Sequence, residues 1–163
     1  MKIEDLVQEI HRCFGNADYP GDDRITDRDK FDDEAKDIKE AFQGVRWQEI
    51  TLTWLQDTFR GDKGAVLVLM SEAGALYYIP AFMMICIKDL EESDTAYDSL
   101  IKYLTLTSYN EAEFLSAFKN IEKEKGACIA HFLLKMKEMT SGSIASDDAR
   151  CAYESYWKKY ITE

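Results

Sequence analysis

Two histidines, four cysteines and a crowd of carboxylates are the residues through which this chain could do chemistry. Cys128-x-x-His131 sets a thiol and an imidazole close to one helical face, a spacing that a cysteine nucleophile and its base could use. No third group that would orient the imidazole can be read beside them, and His11 lies far away in the sequence. A buried Cys128 bordered by His131 would instead be an ordinary small hydrophobe of the core. Asp27-x-Asp29 and Asp32-Asp33-Glu34 offer hard oxygen ligands, but the spacing lacks the central glycine and terminal glutamate of an EF-hand loop. The chain holds no glycine-rich phosphate loop, no Gly-x-Ser-x-Gly elbow and no His-Glu-x-x-His. We therefore expect no enzyme, no catalytic residue, no metal and no cofactor, with catalysis by Cys128 and His131 as the alternative.

The elements that must position these residues read as helices. Ile3, Leu6, Val7, Ile10 and Phe14 form one amphipathic stripe, with Gly15 and Asn16 past its end. Tyr19-Pro20-Gly21-Asp22-Asp23 is a turn, and a helix over 33–42 would bury Ala35, Ile38, Ala41 and Phe42 before Gly44 closes it. Thr51 can cap a helix over 51–60. Ala65 to Met70 is either a helical turn or a short strand, and helix is favoured because no partner strand is visible.

From Ser71 a helix apolar on every face runs to Lys88, the pattern of a central helix, with Pro80 expected to kink it or to open its second half. Tyr97, Leu100, Ile101 and Leu104 repeat the stripe behind Asp94 as a cap. Ser108-x-x-Glu111 reads as a capping box, Asn120 as the cap of a helix carrying Cys128 and Met136, and Ser146 as the start of a last helix reaching Tyr160. The fold class expected is all-α, one domain over 1–163, with seven or eight short helices around the apolar helix at 72–88.

At 163 residues such a domain is long enough to build a core without disulfides. The four cysteines are far apart, and the start Met1-Lys2-Ile3-Glu4-Asp5 lacks the apolar core of a signal peptide, so reduced thiols and a cytoplasmic location are expected. The apolar run from Ala65 to Ile87 is interrupted by Ser71, Glu72, Gly74 and Pro80 and reads as core rather than a membrane span.

Charge is the feature that points to a partner. The chain carries 31 Asp and Glu against 20 Lys and Arg, a net of −11, and residues 18–37 alone hold nine acids and four bases, a balance of −5. A surface this negative repels nucleic acid and anionic membranes and attracts basic proteins. The expected partner-binding residues are Tyr19, Asp22, Asp23, Asp27, Asp29, Asp32, Asp33, Glu34 and Trp47, the two aromatics serving as anchors beside the charges. A second acidic patch runs from Asp89 to Asp94. Its alternative, like that of the first, is a solvated face that maintains solubility. A further alternative is a small-molecule pocket between helices near Tyr77, Tyr78 and Met84.

Tyr19-Pro20-Gly21-Asp22-Asp23, Phe42-Gln43-Gly44-Val45-Arg46-Trp47, Ala75-Leu76-Tyr77-Tyr78-Ile79-Pro80-Ala81-Phe82 and the closing pair Tyr156-Trp157 give the chain its resemblance to an uncharacterised family of small, acidic, all-helical bacterial proteins. That resemblance transfers no residue role. In size, acidity and lack of catalytic motifs the chain is also similar to immunity proteins of bacterial toxin systems, including contact-dependent growth inhibition. The similarity implies an antitoxin, monomeric or weakly dimeric, that occludes the groove of a basic toxin domain, a nuclease in the leading form, with fast, electrostatically steered association.

Overall fold

In the computed structural model, which describes residues 1–27 and 32–161, nine α-helices follow one another and no strand occurs among the described residues. They are α1 (Ile3–Phe14), α2 (Asp33–Phe42), α3 (Leu52–Thr58), α4 (Val66–Leu69), α5 (Glu72–Lys88), α6 (Asp94–Tyr103), α7 (Glu111–Phe118), α8 (Lys123–Met139) and α9 (Ile144–Ser155). No helix among the described residues is long and apolar enough to cross a membrane. The helices group into two compact units, Ala17–Leu100 and a second made from Met1–Asn16 together with Ile101–Glu163.

In the unit Ala17–Leu100, α5 supplies the core. Its residues from Tyr77 to Ile87 are all buried, which requires neighbours on every side, and α4 and the 3₁₀ turn Trp47–Glu49 supply part of that cover. Ser71 starts it as expected, its hydroxyl accepting the Gly74 N–H at 3.0 Å. Pro80 sits inside the helix, which continues through it to Lys88. The run 65–70 is helical, a 3₁₀ turn at Lys63–Ala65 leading into the single turn of α4. Gly44 follows α2 with φ of +72°, the left-handed region in which glycine costs least.

The Tyr78 hydroxyl lies buried between two carbonyls, those of Phe42 at 3.0 Å and Val45 at 2.7 Å, so it ties the end of α2 to α5. Burial pushes its pKa up, because a phenolate there would be desolvated. Tyr78→Phe should keep the ring packing and lower the unfolding free energy by about 1–2 kcal/mol, because the buried carbonyls lose their donor. Urea denaturation followed by circular dichroism measures it.

In the other unit, α8 packs on α1, on α9 and on the 3₁₀ turn Trp157–Tyr160. From the stripe on α1, Leu6, Ile10 and Phe14 are buried, each worth about 1.5–3 kcal/mol relative to exposure, whereas Ile3 and Val7 stay partly in solvent at the stripe's edge. Trp157 is fully buried and donates its indole N–H to the Leu104 carbonyl at 2.7 Å. The rings of Phe118 and Tyr156 lie 4.9 and 5.2 Å from it in edge-on geometry. Tyr160 packs over Gly126 of α8, where a Cβ would fall 2.5 Å from the ring.

Several boundaries differ from expectation; Asp94, expected as a cap, is the first residue of α6. The box at Ser108 and Glu111 does not form: Asn110 takes the N-cap position, its side chain accepting the Thr107 N–H at 2.8 Å and donating to the Thr105 carbonyl at 2.9 Å. Those bonds hold 105–110 as a turn, so α7 starts only at Glu111. Asn120 is likewise not a cap; α8 begins at Lys123 behind Glu122. The last helix opens at Ile144 and stops at Ser155, since Tyr156, at φ −154° and ψ −39°, leaves helical geometry and turns Trp157 inward.

Candidate functional site

The acidic segment is built on a turn with a defined internal structure. Gly21, at φ +95°, lets the chain reverse into the 3₁₀ turn Asp22–Arg24, and the Tyr19 hydroxyl donates to Asp22 Oδ1 at 2.5 Å. The Gly44 N–H then donates to both, at 2.7 Å to Tyr19 Oη and 3.1 Å to Asp22 Oδ1. Partial burial, with the Asp22 bond second, pushes the Tyr19 pKa up to about 12, so the phenol keeps the proton that makes this clamp. The Tyr19 ring meets Tyr77 of α5 edge-on at 5.6 Å. Downstream, the Arg24 carbonyl accepts from the Ser71 hydroxyl and the Ile25 carbonyl from the Ser71 N–H, the latter at 2.8 Å. The turn is thereby fixed to the start of α5.

On this frame the expected partner-binding residues divide. Asp22, Asp23 and Asp27 on the loop, and Asp33 and Glu34 in the first turn of α2, are exposed. Asp23 is 97% exposed even though Lys39 lies 3.2 Å away. At the start of α2 the Asp33 and Glu34 charges also favour the helix dipole. Asp32 has a structural task, its Oδ1 accepting the Ala35 N–H at 3.1 Å as the N-cap of α2. Asp29 lies outside the described residues. Trp47 is a correction: only 1% exposed, it belongs to the core, and an apolar ring at that position follows from packing rather than from recognition. Tyr19 is half-buried and holds the turn.

A cleft of about 440 Å³ opens beside α2, lined by Asp37, Glu40 and Ala41 on one side and Thr58, Phe59, Arg60 and Gly61 on the other. Its lining carries two carboxylates, Asp37 and Glu40, and one cation, Arg60, beside Ala41 and Phe59. This cleft could have been found from sequence, since Asp37, Glu40 and Ala41 share a face at helical spacing. Tyr77, Tyr78 and Met84 are all buried.

In the unit containing both chain ends, Cys128 and His131 lie three residues apart on α8. His131 Nδ1 is 3.0 Å from both carboxylate oxygens of Glu9 on α1. Cys128 is fully buried and burial pushes its thiol pKa up, which disfavours a thiolate. Cys13, half-buried on α1, has its thiol pushed up by burial as well, against the opposing effect of Arg12. Glu9 and Cys13 were not singled out from the sequence. Their signal is the i, i+4 spacing on α1, which matches the i, i+3 spacing of Cys128 and His131 on α8.

No curated protein and no solved structure matches the chain. Residues 4–161, nearly its whole length, match one family, and the protein accordingly belongs to the family of unknown function DUF6714.

Proposed function

We propose that the acidic face of the unit Ala17–Leu100 docks a basic protein, and that the protein is an immunity factor whose partner is a basic toxin domain, a nuclease in the leading form. One observation carries this reading: Asp22, Asp23 and Asp27 are exposed at a turn that Tyr19, Gly44 and Ser71 hold in place, and Asp33 and Glu34 are exposed at the start of α2. Preset charges lose little freedom on association, so more of their attraction is retained in the complex. The long-range field of a chain at −11 steers a cationic groove toward that turn, and the Asp37 and Glu40 cleft receives a lysine or arginine from it. Inhibition then needs only occlusion of the groove.

The structure selects the variant for the test. Asp22 and Asp32 bond to backbone amides, so reversing them would confuse binding with folding. Asp23, Asp33 and Glu34 are exposed and none of them is the N-cap of α2, so their joint replacement by lysine changes the local charge by six units without removing that cap. Against the protein encoded by the neighbouring reading frame, stopped-flow association should slow by at least ~10-fold in the variant and fall with salt in the native protein. Association that ignores both the reversal and the salt removes this surface from the reading.

A further inference from the structure

We propose that Glu9, Cys13 and Cys128 form a zinc site, with His131 as the residue that positions the Glu9 carboxylate. One ligand atom from each of the three lies within 4.8 Å of the other two. A tetrahedral zinc ion with bonds of about 2.3 Å to sulfur and about 2.1 Å to oxygen sets its ligand atoms roughly 3.6–3.8 Å apart. The three side chains therefore need to close by only about 1 Å, which side-chain rotation supplies. All belong to the packed pair α1 and α8, so the backbone that carries them is already in place.

The donor set selects the metal. Two sulfurs and one carboxylate suit zinc, whereas Ca²⁺ and Mg²⁺ require oxygen throughout. His131 Nδ1, at 3.0 Å from both Glu9 oxygens, stands where a residue behind a ligating carboxylate belongs, and it fixes which way that carboxylate faces. Charge is consistent with this. Two thiolates and Glu9 bring three negative charges to an ion of two positive charges, and Arg12, which also pairs with Glu124, is the cation beside Cys13. Cys13 and His131 are only half-buried, which leaves a path for the ion and room for water as the fourth ligand. Binding releases one proton from each thiol to the buffer, so affinity rises with pH.

The test is a Co²⁺ titration of the full, reduced chain, followed by displacement with Zn²⁺. The expected result is a single cobalt with a thiolate-to-metal charge-transfer band that zinc abolishes. Cys13→Ser and Cys128→Ser should each weaken binding by at least ~100-fold, whereas Cys151→Ser, an exposed thiol outside the cluster, should leave it unchanged. His131→Ala should weaken it by about 10–100-fold and His131→Gln, which keeps a donor, should recover part of the loss. If a serine variant fails to fold, alkylation of the native chain decides: zinc should protect the partly exposed Cys13 and leave the exposed Cys151 reactive. Absence of the charge-transfer band, undiminished binding by both serine variants, or equal alkylation with and without zinc overturns the site. Unchanged binding by His131→Ala overturns the positioning role.

Discussion

With Trp157 replaced by alanine, the unit built from the two ends of the chain should lose about 3–5 kcal/mol of stability, because a fully buried indole leaves a void that its neighbours fill only in part. Two independent losses add there. The ring is the meeting point of Phe114, Phe118, Tyr156 and Tyr160, and its N–H is the donor for the Leu104 carbonyl, the residue just past the end of α6. Trp157→Phe separates them: it keeps an aromatic in the cluster but drops the hydrogen bond, and should cost about 1–3 kcal/mol. Thermal unfolding followed at the helical circular dichroism signal reads both, with a shift on the order of 10 °C expected for alanine in a chain of this size. A shift of only a degree or two would mean that the cluster closes over the void, and the aromatic packing would not be what holds α8 to the C-terminal turn.

The second large effect is expected at Gly74. A Cβ on this residue would sit 2.3 Å from the Ile25 carbonyl oxygen and 3.0 Å from its carbon, and both are backbone atoms that no rotamer change can move. Alanine would gain about 1 kcal/mol of helix propensity in the first turn of α5, but the clash outweighs it. Either the chain at Arg24 and Ile25 moves off the helix, breaking the two bonds Ser71 makes to them, or α5 loses its first turn. The expected net loss is about 2–3 kcal/mol by urea denaturation. Because Ile25 follows the acidic turn directly, Gly74→Ala should also raise proteolytic cleavage between Asp18 and Asp27. Native-like stability in Gly74→Ala would show that this approach is not tight in solution.

Helices with a one-sided apolar stripe or a strong cap were legible in the sequence. α2 and α5 follow their expected bounds within a residue because Asp32 and Ser71 do at their N-termini what such residues do in any helix. The segment 105–110 was not legible. Ser108 and Glu111 have the right spacing, but Asn110 has competing partners at Thr105 and Thr107 that no local pattern reveals. The break at Tyr156 has the same origin, since Trp157 is drawn inward by rings distant in sequence. At the acidic turn, composition located the charges, while the division of labour among them depended on tertiary partners. Asp22 is fixed by Gly44, a residue 22 positions away, and Trp47 lies in the core. The Glu9, Cys13 and Cys128 cluster was invisible for a related reason: each half is an ordinary helical spacing, and only the pairing of α1 with α8 brings them together.

That pairing has a consequence for synthesis on the ribosome. Arg12 of α1 meets Glu124 of α8 across 112 residues of sequence. At about 5–20 residues per second, α1 is made on the order of ten seconds before the partner it packs against exists. Ala17–Leu100 is contiguous and complete in the meantime, whereas α1 still awaits α8, the helix it packs on in its own unit. The nascent chain thus passes through a stage in which its oldest helix has not yet met the one it packs against.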